Sequence, residues 1–163
     1  DDEEPKPLAR PRHVLPYATQ EHTFINGTVR ENIIFGSPLV EEPYQVAVEA
    51  CCLQADFEAL PGGDFTEVGA ANLSIGQKAR ISLARAVYRC LIADVPVILL
   101  IDNCFASLNG AVADHVADSL LGPNRVLPPT VAVILCTTSV FNLPADAIQR
   151  AACYRLDNGT LSV

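Results

Sequence analysis

The chain has 163 residues, half of them apolar and 18% charged, and its formal net charge is −8. That length and composition suit one globular domain with a buried core and exclude a disordered chain. The acidic balance and the lack of clustered lysine or arginine argue against a nucleic-acid partner, which would need a basic patch.

Residues 1–16 are acidic, then contain proline and arginine, and read as a leader or linker. Residues 13–17 suit a short strand, and Asn26-Gly27 marks a turn. Thr28 followed three residues later by Glu31 is a capping box that opens a helix. Residues 42–52 have helical spacing, with Tyr44, Val48, Cys51 and Cys52 on one face. Pro61-Gly62-Gly63-Asp64 is a loop. Residues 75–89 form a helix whose apolar side holds Ala79, Leu83, Ala86 and Val87. The apolar run 97–101, bounded by Pro96 and Asp102, suits a strand buried on both faces of a parallel sheet. Residues 110–121 are helical, and 131–136 form a second buried strand. Asp157-Asn158-Gly159, flanked by 152–156 and 160–163, signals a hairpin. Strand and helix alternate in the second half, which predicts an α/β fold with a parallel sheet. The mostly helical stretch from 28 to 89 predicts an inserted helical subdomain.

Six cysteines, at 51, 52, 90, 104, 136 and 153, include no Cys-x-x-Cys pair and no zinc-like spacing. They read as buried free thiols of a reducing compartment. Asn-x-Ser/Thr triplets at Asn26, Asn72 and Asn158 read as turn residues. No apolar run approaches the ~20 residues of a membrane span. The sequence contains no methionine, so it is expected to be part of a longer chain.

The most informative segment runs Asn72-Leu73-Ser74-Ile75-Gly76-Gln77-Lys78-Ala79-Arg80-Ile81-Ser82-Leu83-Ala84-Arg85-Ala86-Val87-Tyr88. A polar loop enters a helix, whose free N–H groups and positive dipole end form an anion site, with Ser74 adding a hydroxyl donor. An ordinary capped helix is the alternative. The segment resembles the signature motif of ATP-binding-cassette (ABC) transporters, Leu-Ser-Gly-Gly-Gln, and the helix after it. Its continuation is typical of the C subfamily, the group of the multidrug-resistance proteins, sulfonylurea receptors and cystic-fibrosis channel. Residues 26–36, Leu60-Pro61-Gly62-Gly63-Asp64, Thr66-Glu67-Val68-Gly69 and Leu121-Gly122-Pro123-Asn124 extend the resemblance in the family's order, over about 17–163. The pattern is closer to the first nucleotide-binding domain of such transporters than to the second.

The resemblance implies an incomplete P-loop NTPase (RecA-like) α/β core with a parallel sheet, plus an ABC-type helical subdomain. It divides the chain into 17–163 as a partial nucleotide-binding domain, with 28–90 the helical subdomain and 91–163 the Walker B to C-terminal core. It implies transport driven by ATP and Mg²⁺ in the full-length protein, at the cytosolic face of a membrane. The implied partners are a transmembrane domain and a second nucleotide-binding domain. Gln20, in the Q-loop-like Tyr17-Ala18-Thr19-Gln20, would meet Mg²⁺ and the attacking water. Asp102, ending a Walker B-like strand, would hold Mg²⁺ through water. Ser74, Gly76 and Gln77 would serve the nucleotide of the partner domain.

The departures from the family pattern carry as much information. No Gly-x-x-x-x-Gly-Lys-Ser/Thr occurs, and only sixteen residues precede Tyr17, so the Walker A half is expected to be missing. Asn103 stands where the family has its catalytic carboxylate, and an amide cannot accept a proton from water near neutral pH. Thr138 stands at the switch histidine and cannot carry positive charge. Ile75 replaces the first signature glycine, where positive φ in the family's backbone would bring strain of roughly 1–3 kcal/mol. The isoleucine is expected to rotate onto the apolar surface of the helical subdomain. Asn109 replaces the D-loop aspartate. The stretch 69–72 is a little shorter than the family's, and 89–102 a little longer. The chain alone is therefore expected to bind no nucleotide and to show no ATPase activity. Two further readings fit the same residues: a non-hydrolysing scaffold or regulatory domain, and a decaying gene segment.

Overall fold

The computed structural model describes residues 15–138, 143–157 and 160–162. Most of the expected leader lies outside the described residues, as do Asn158 and Gly159 of the expected hairpin turn.

The centre is a three-stranded parallel sheet in the order β1-β2-β3, made of Tyr17–Ala18 (β1), Val97–Asp102 (β2) and Val131–Cys136 (β3). In register, Tyr17 faces Leu100, Ala18 faces Ile101, Leu100 faces Ile134, and Asp102 faces Cys136. The strands expected near 97–101 and 131–136 thus lie side by side, and β1 adds to the other edge of β2.

Between β1 and β2 the chain forms four helices: Val29–Ile34 (α1), Glu41–Ala50 (α2), Gln54–Ala59 (α3) and Ile75–Leu91 (α4). The Thr28 capping box is present: the Glu31 N–H donates to Thr28 Oγ1 at 3.1 Å, and the Thr28 N–H to Glu31 Oε2 at 2.8 Å. These bonds satisfy donors that a helix start leaves open. Helix α4 is the spine, contacting α1, α2, β1 and β2. Its Ile81, Leu83, Val87 and Tyr88 are fully buried with Ile33, Tyr44, Val48 and Leu53 from the shorter elements. Each such side chain stabilises the fold by roughly 1.5–3 kcal/mol relative to exposure.

Asn32, Arg85 and Asp64 of this region are paired, whereas both ring nitrogens of His22 are buried without a hydrogen-bond partner. Asn32 is fully buried; its Oδ1 accepts from the Ile25 N–H at 2.9 Å and its Nδ2 donates to the Thr28 carbonyl at 2.9 Å. Arg85 donates to the Asn32 carbonyl at 2.7 Å and the Thr23 carbonyl at 3.0 Å, and lies over the Phe35 ring. Asp64 accepts from Arg30 Nε at 2.8 Å and from the Tyr44 hydroxyl at 2.5 Å. Burial is the largest cause of a raised Tyr44 pKa, and the Asp64 carboxylate adds to it.

After β2, a 3₁₀ turn at Cys104–Ser107 leads to Gly110–Leu121 (α5), which buries Ala113, Val116, Ala117 and Leu120. A short helix at Ala145–Arg150 (α6) follows β3, and Arg155–Asp157 (β4) pairs antiparallel with Thr160–Ser162 (β5).

Burial of the strands departs from expectation. Val97, Leu99 and Ile101 of β2 are buried, but Ile98, Leu100 and Asp102 are only half-buried. On β3, Ala132, Ile134 and Cys136 are exposed, Ile134 by 53%. A parallel sheet is dry on both faces only where helices cover both. Helix α4 packs on one face of β1 and β2. The other, carrying Tyr17, Leu100, Asp102, Ile134 and Cys136 in register, is left open.

Candidate functional site

Parallel pairing brings the carboxyl ends of the three strands to one edge of the sheet. Thr19 and Gln20 follow β1, Asp102 and Asn103 end β2, and Thr137 and Thr138 follow β3. In α/β sheets this edge is where ligands are met, because the strand ends open there.

Asp102 Oδ2 accepts a hydrogen bond from the Tyr17 hydroxyl at 3.3 Å. Asn103 has φ 49° and ψ 24°, a left-handed conformation that asparagine tolerates better than most residues. Its N–H donates to the Cys136 carbonyl at 2.8 Å, which fixes the turn against β3. Its side-chain Oδ1 accepts from the Thr138 hydroxyl at 3.3 Å. Asn103 and Thr138 are thus joined as a neutral pair. Gln20 is exposed at the end of β1.

The donor chemistry of this edge fits a hard cation. Asp102 offers a carboxylate and Gln20 an amide oxygen, a set that Mg²⁺ uses together with substrate phosphates. The Cys104 thiol donates to the carbonyls of Thr19 at 3.4 Å and Asp102 at 3.5 Å. Burial pushes that thiol up to about 12. Among the described residues no group of three or more His, Cys, Asp or Glu side chains is placed to hold a metal.

The amino end of α4 carries the other predicted residues. Ser74 is its N-cap: the Gln77 N–H donates to Ser74 Oγ at 3.2 Å, and the Ser74 N–H donates to Gln77 Oε1 at 2.8 Å. The Ser74 hydroxyl keeps its own proton for a further acceptor. Gln77 Nε2 donates to Asp56 Oδ1 at 2.8 Å, and Asp56 also binds Arg80, which reaches the Cys52 carbonyl as well. The Gln77 amide is therefore committed to bracing α4 against α3. Gly76 packs close to the following 3₁₀ turn; a Cβ there would lie 3.2 Å from the Ser107 carbonyl oxygen.

Two expectations about Ile75 are corrected. It is the first residue of α4 and is not among the residues with positive φ, so it stores no backbone strain. Its side chain is 71% exposed and does not pack onto the neighbouring helices. A first-turn position of a helix has the helical φ that a β-branched residue adopts without strain. Asn109 caps α5, its Oδ1 accepting from the Val112 N–H at 3.0 Å, a task an aspartate would perform equally.

Sequence reasoning missed the roles of Tyr17 and Asp56. Tyr17 meets Asp102 only through strand register across 85 residues, which no local pattern reveals. Asp56 sits on a six-residue helix with no fully buried residue, too short for a clear apolar periodicity.

No protein-family model matches the chain. Curated relatives do. The chain is 41% identical over 147 residues to ATP-binding cassette sub-family C member 2 of Homo sapiens, covering 89% of this chain and 9% of that protein. It is 43% identical over 150 residues to the vacuolar heme ABC transmembrane exporter abc3 of Schizosaccharomyces pombe, covering 90% of this chain and 10% of that protein. It is 38% identical over 136 residues to the multidrug resistance protein mrp-7 of Caenorhabditis elegans, covering 82% and 9%. The chain spans about a tenth of the length of these relatives. Over most of its residues, the chain belongs to the C subfamily of the ATP-binding-cassette transporters, of which it matches one segment.

Proposed function

We propose that the chain forms part of the ATP-binding domain of a membrane transporter, at the cytosolic face of the membrane, and that its own site does not hydrolyse ATP. The observation that carries this reading is the neutral Asn103–Thr138 pair beside Asp102 at the carboxyl edge of the sheet. Hydrolysis needs a base to take the proton of the attacking water. Asn103 is an amide, and its oxygen already accepts from Thr138. No helix among the described residues is long and apolar enough to cross a membrane, so the spans would belong to a separate transmembrane domain.

On this reading 17–163 is a partial nucleotide-binding domain, with 28–90 its helical subdomain and 91–163 its Walker B to C-terminal core. The phosphate loop would come from outside these residues, and its half-domain would cover the open sheet face of Leu100 and Ile134. Asp102 and Gln20 are the oxygen donors that would hold Mg²⁺, which when bound neutralises phosphate charge. Ser74 and the Gly76 N–H would donate to a phosphate held by a second nucleotide-binding domain, aided by the helix dipole. The same neutral pair favours, as a second reading, a non-hydrolysing scaffold or regulatory domain.

The test uses the full-length protein that carries this segment. Asp102→Asn should weaken Mg²⁺-dependent ATP binding about tenfold, the order expected for one charged hydrogen-bonding group. Unchanged binding in Asp102→Asn, with wild type binding normally, contradicts a nucleotide role for this edge. No ATP binding in wild type supports the regulatory module instead.

A further inference from the structure

Two capping boxes in this chain close differently. At α1, Glu31 Oε2 accepts both the Thr28 N–H at 2.8 Å and the Thr28 hydroxyl at 3.0 Å, so the cap uses up its own hydroxyl proton. At α4, Gln77 Oε1 accepts the Ser74 N–H at 2.8 Å, while its Nε2 is drawn away to Asp56 Oδ1, also at 2.8 Å. An amide can present either its oxygen or its NH₂ to a neighbour, and the acceptor at Asp56 decides which way this one lies. The Ser74 hydroxyl accepts from the Gln77 N–H at 3.2 Å and keeps its proton for an outside acceptor.

Asp56 is itself held firmly. Arg80, on the next turn of α4, meets both of its carboxylate oxygens, with Nη2 at 3.1 Å from Oδ1, and the two side chains are only 16% and 13% exposed. A two-point contact between charged groups fixes direction as well as distance. Leu53, fully buried just ahead of α3, anchors the helix that carries Asp56. We propose that Asp56 is a positioning residue for Ser74: through Gln77 it fixes the cap, so the serine hydroxyl is already placed when a phosphate approaches. A preset donor spares association the cost of ordering it. Arg80 offsets the Asp56 charge, so the brace adds no net negative charge near an incoming anion. The inference rests on the reading that this end of α4 serves a phosphate held by a second nucleotide-binding domain. It adds to that reading a residue that touches no nucleotide.

The experiment uses the full-length protein with its partner domain. It reads the ATP concentration that half-closes the two nucleotide-binding domains, from the distance between spin labels placed on them. Asp56→Ala should raise that concentration about threefold to tenfold, the cost of ordering one freed side chain. Ser74→Ala should raise it in the wild-type background but change it by less than about twofold in the Asp56→Ala background, because an unplaced hydroxyl has little to lose. A purely structural aspartate gives equal Ser74→Ala effects in both backgrounds, and that result overturns the proposal. Gln77→Leu breaks the same contact and leaves the Asp56–Arg80 ion pair in place, so it is the second variant should Asp56→Ala fail to fold. It should show the same raised concentration and the same lost dependence on Ser74. An unchanged half-closing concentration in either variant overturns the proposal as well. If Ser74→Ala has no effect in the wild-type background, the reading of this helix end falls and takes the proposal with it, so the two failures are distinct.

Discussion

The amino end of α4 and the carboxyl edge of the sheet both carry candidate site residues, yet they are built differently. At α4 the side chains are tied to their own structure: Ser74 and Gln77 cap the helix, and Gln77 and Arg80 are held by Asp56. At the sheet edge the bonds are longer and more exposed, 3.3 Å from Tyr17 to Asp102 and 3.3 Å from Thr138 to Asn103. Ser74, Gln77 and Asn109 each have a structural duty as helix caps. Asn103 and Thr138 instead hold each other through one long, exposed contact and brace no helix. The fold and the chemistry of this segment are therefore separable, and substitutions should show it.

The largest effect is expected where the helical region holds buried charge. Asp64→Ala leaves Arg30 without its partner and the Tyr44 hydroxyl without its acceptor. It should cost about 3 kcal/mol in urea unfolding, most of it the penalty of the stranded partners. Asp64→Asn, which keeps an acceptor oxygen, should cost less. Equal losses would mean that charge contributes nothing there.

A smaller loss is expected at the α4 cap. Ser74→Ala removes the acceptor for the Gln77 N–H and should cost about 1 kcal/mol. Ile75→Gly, at an exposed first-turn position, should cost no more than about 0.5 kcal/mol. Because Ile75 projects outward rather than folding away, the glycine should still tighten any ATP-driven association with a partner domain. If Ser74→Ala weakens that association and Ile75→Gly leaves it unchanged, the side chain does not obstruct the approach.

The smallest effect concerns pH. Burial of the His22 ring is the main cause lowering its pKa, nearby Lys78 lowers it further, and the Thr19 backbone opposes both. The unfolded chain then binds a proton more readily, so this contribution to stability is present above the ordinary histidine pKa of about 6.5 and is lost as pH falls through the lower folded value. His22→Gln should flatten the decline in stability below pH ~6.5. An unchanged profile would assign the decline to other groups.

Much of the fold is legible in the chain because it is written locally. Thr28 and Glu31 announce a capping box, the 75–89 periodicity announces α4, and the apolar runs announce β2 and β3. The short α3 and α6 have no fully buried residue, and six residues are too few for a clear periodicity. The open sheet face was also hidden, since an apolar run states what a strand can bury and not what is there to cover it. Motif order singled out Asp102, Asn103 and Thr138, which lie at the carboxyl ends of β2 and β3. The Tyr17 contact depends on register and the conformation of Ile75 on its place in a helical turn, and neither is encoded by spacing.

The central claim is that this edge is chemically neutral where hydrolysis needs a base. It is tested most directly by loading the full-length protein with one equivalent of γ-labelled ATP and following the fate of the label at this site in a single turnover. The account predicts that ATP bound here stays intact, and that Asn103→Glu with Thr138→His allows cleavage. Release of labelled phosphate from the wild-type site, abolished by Asp102→Asn, would contradict it.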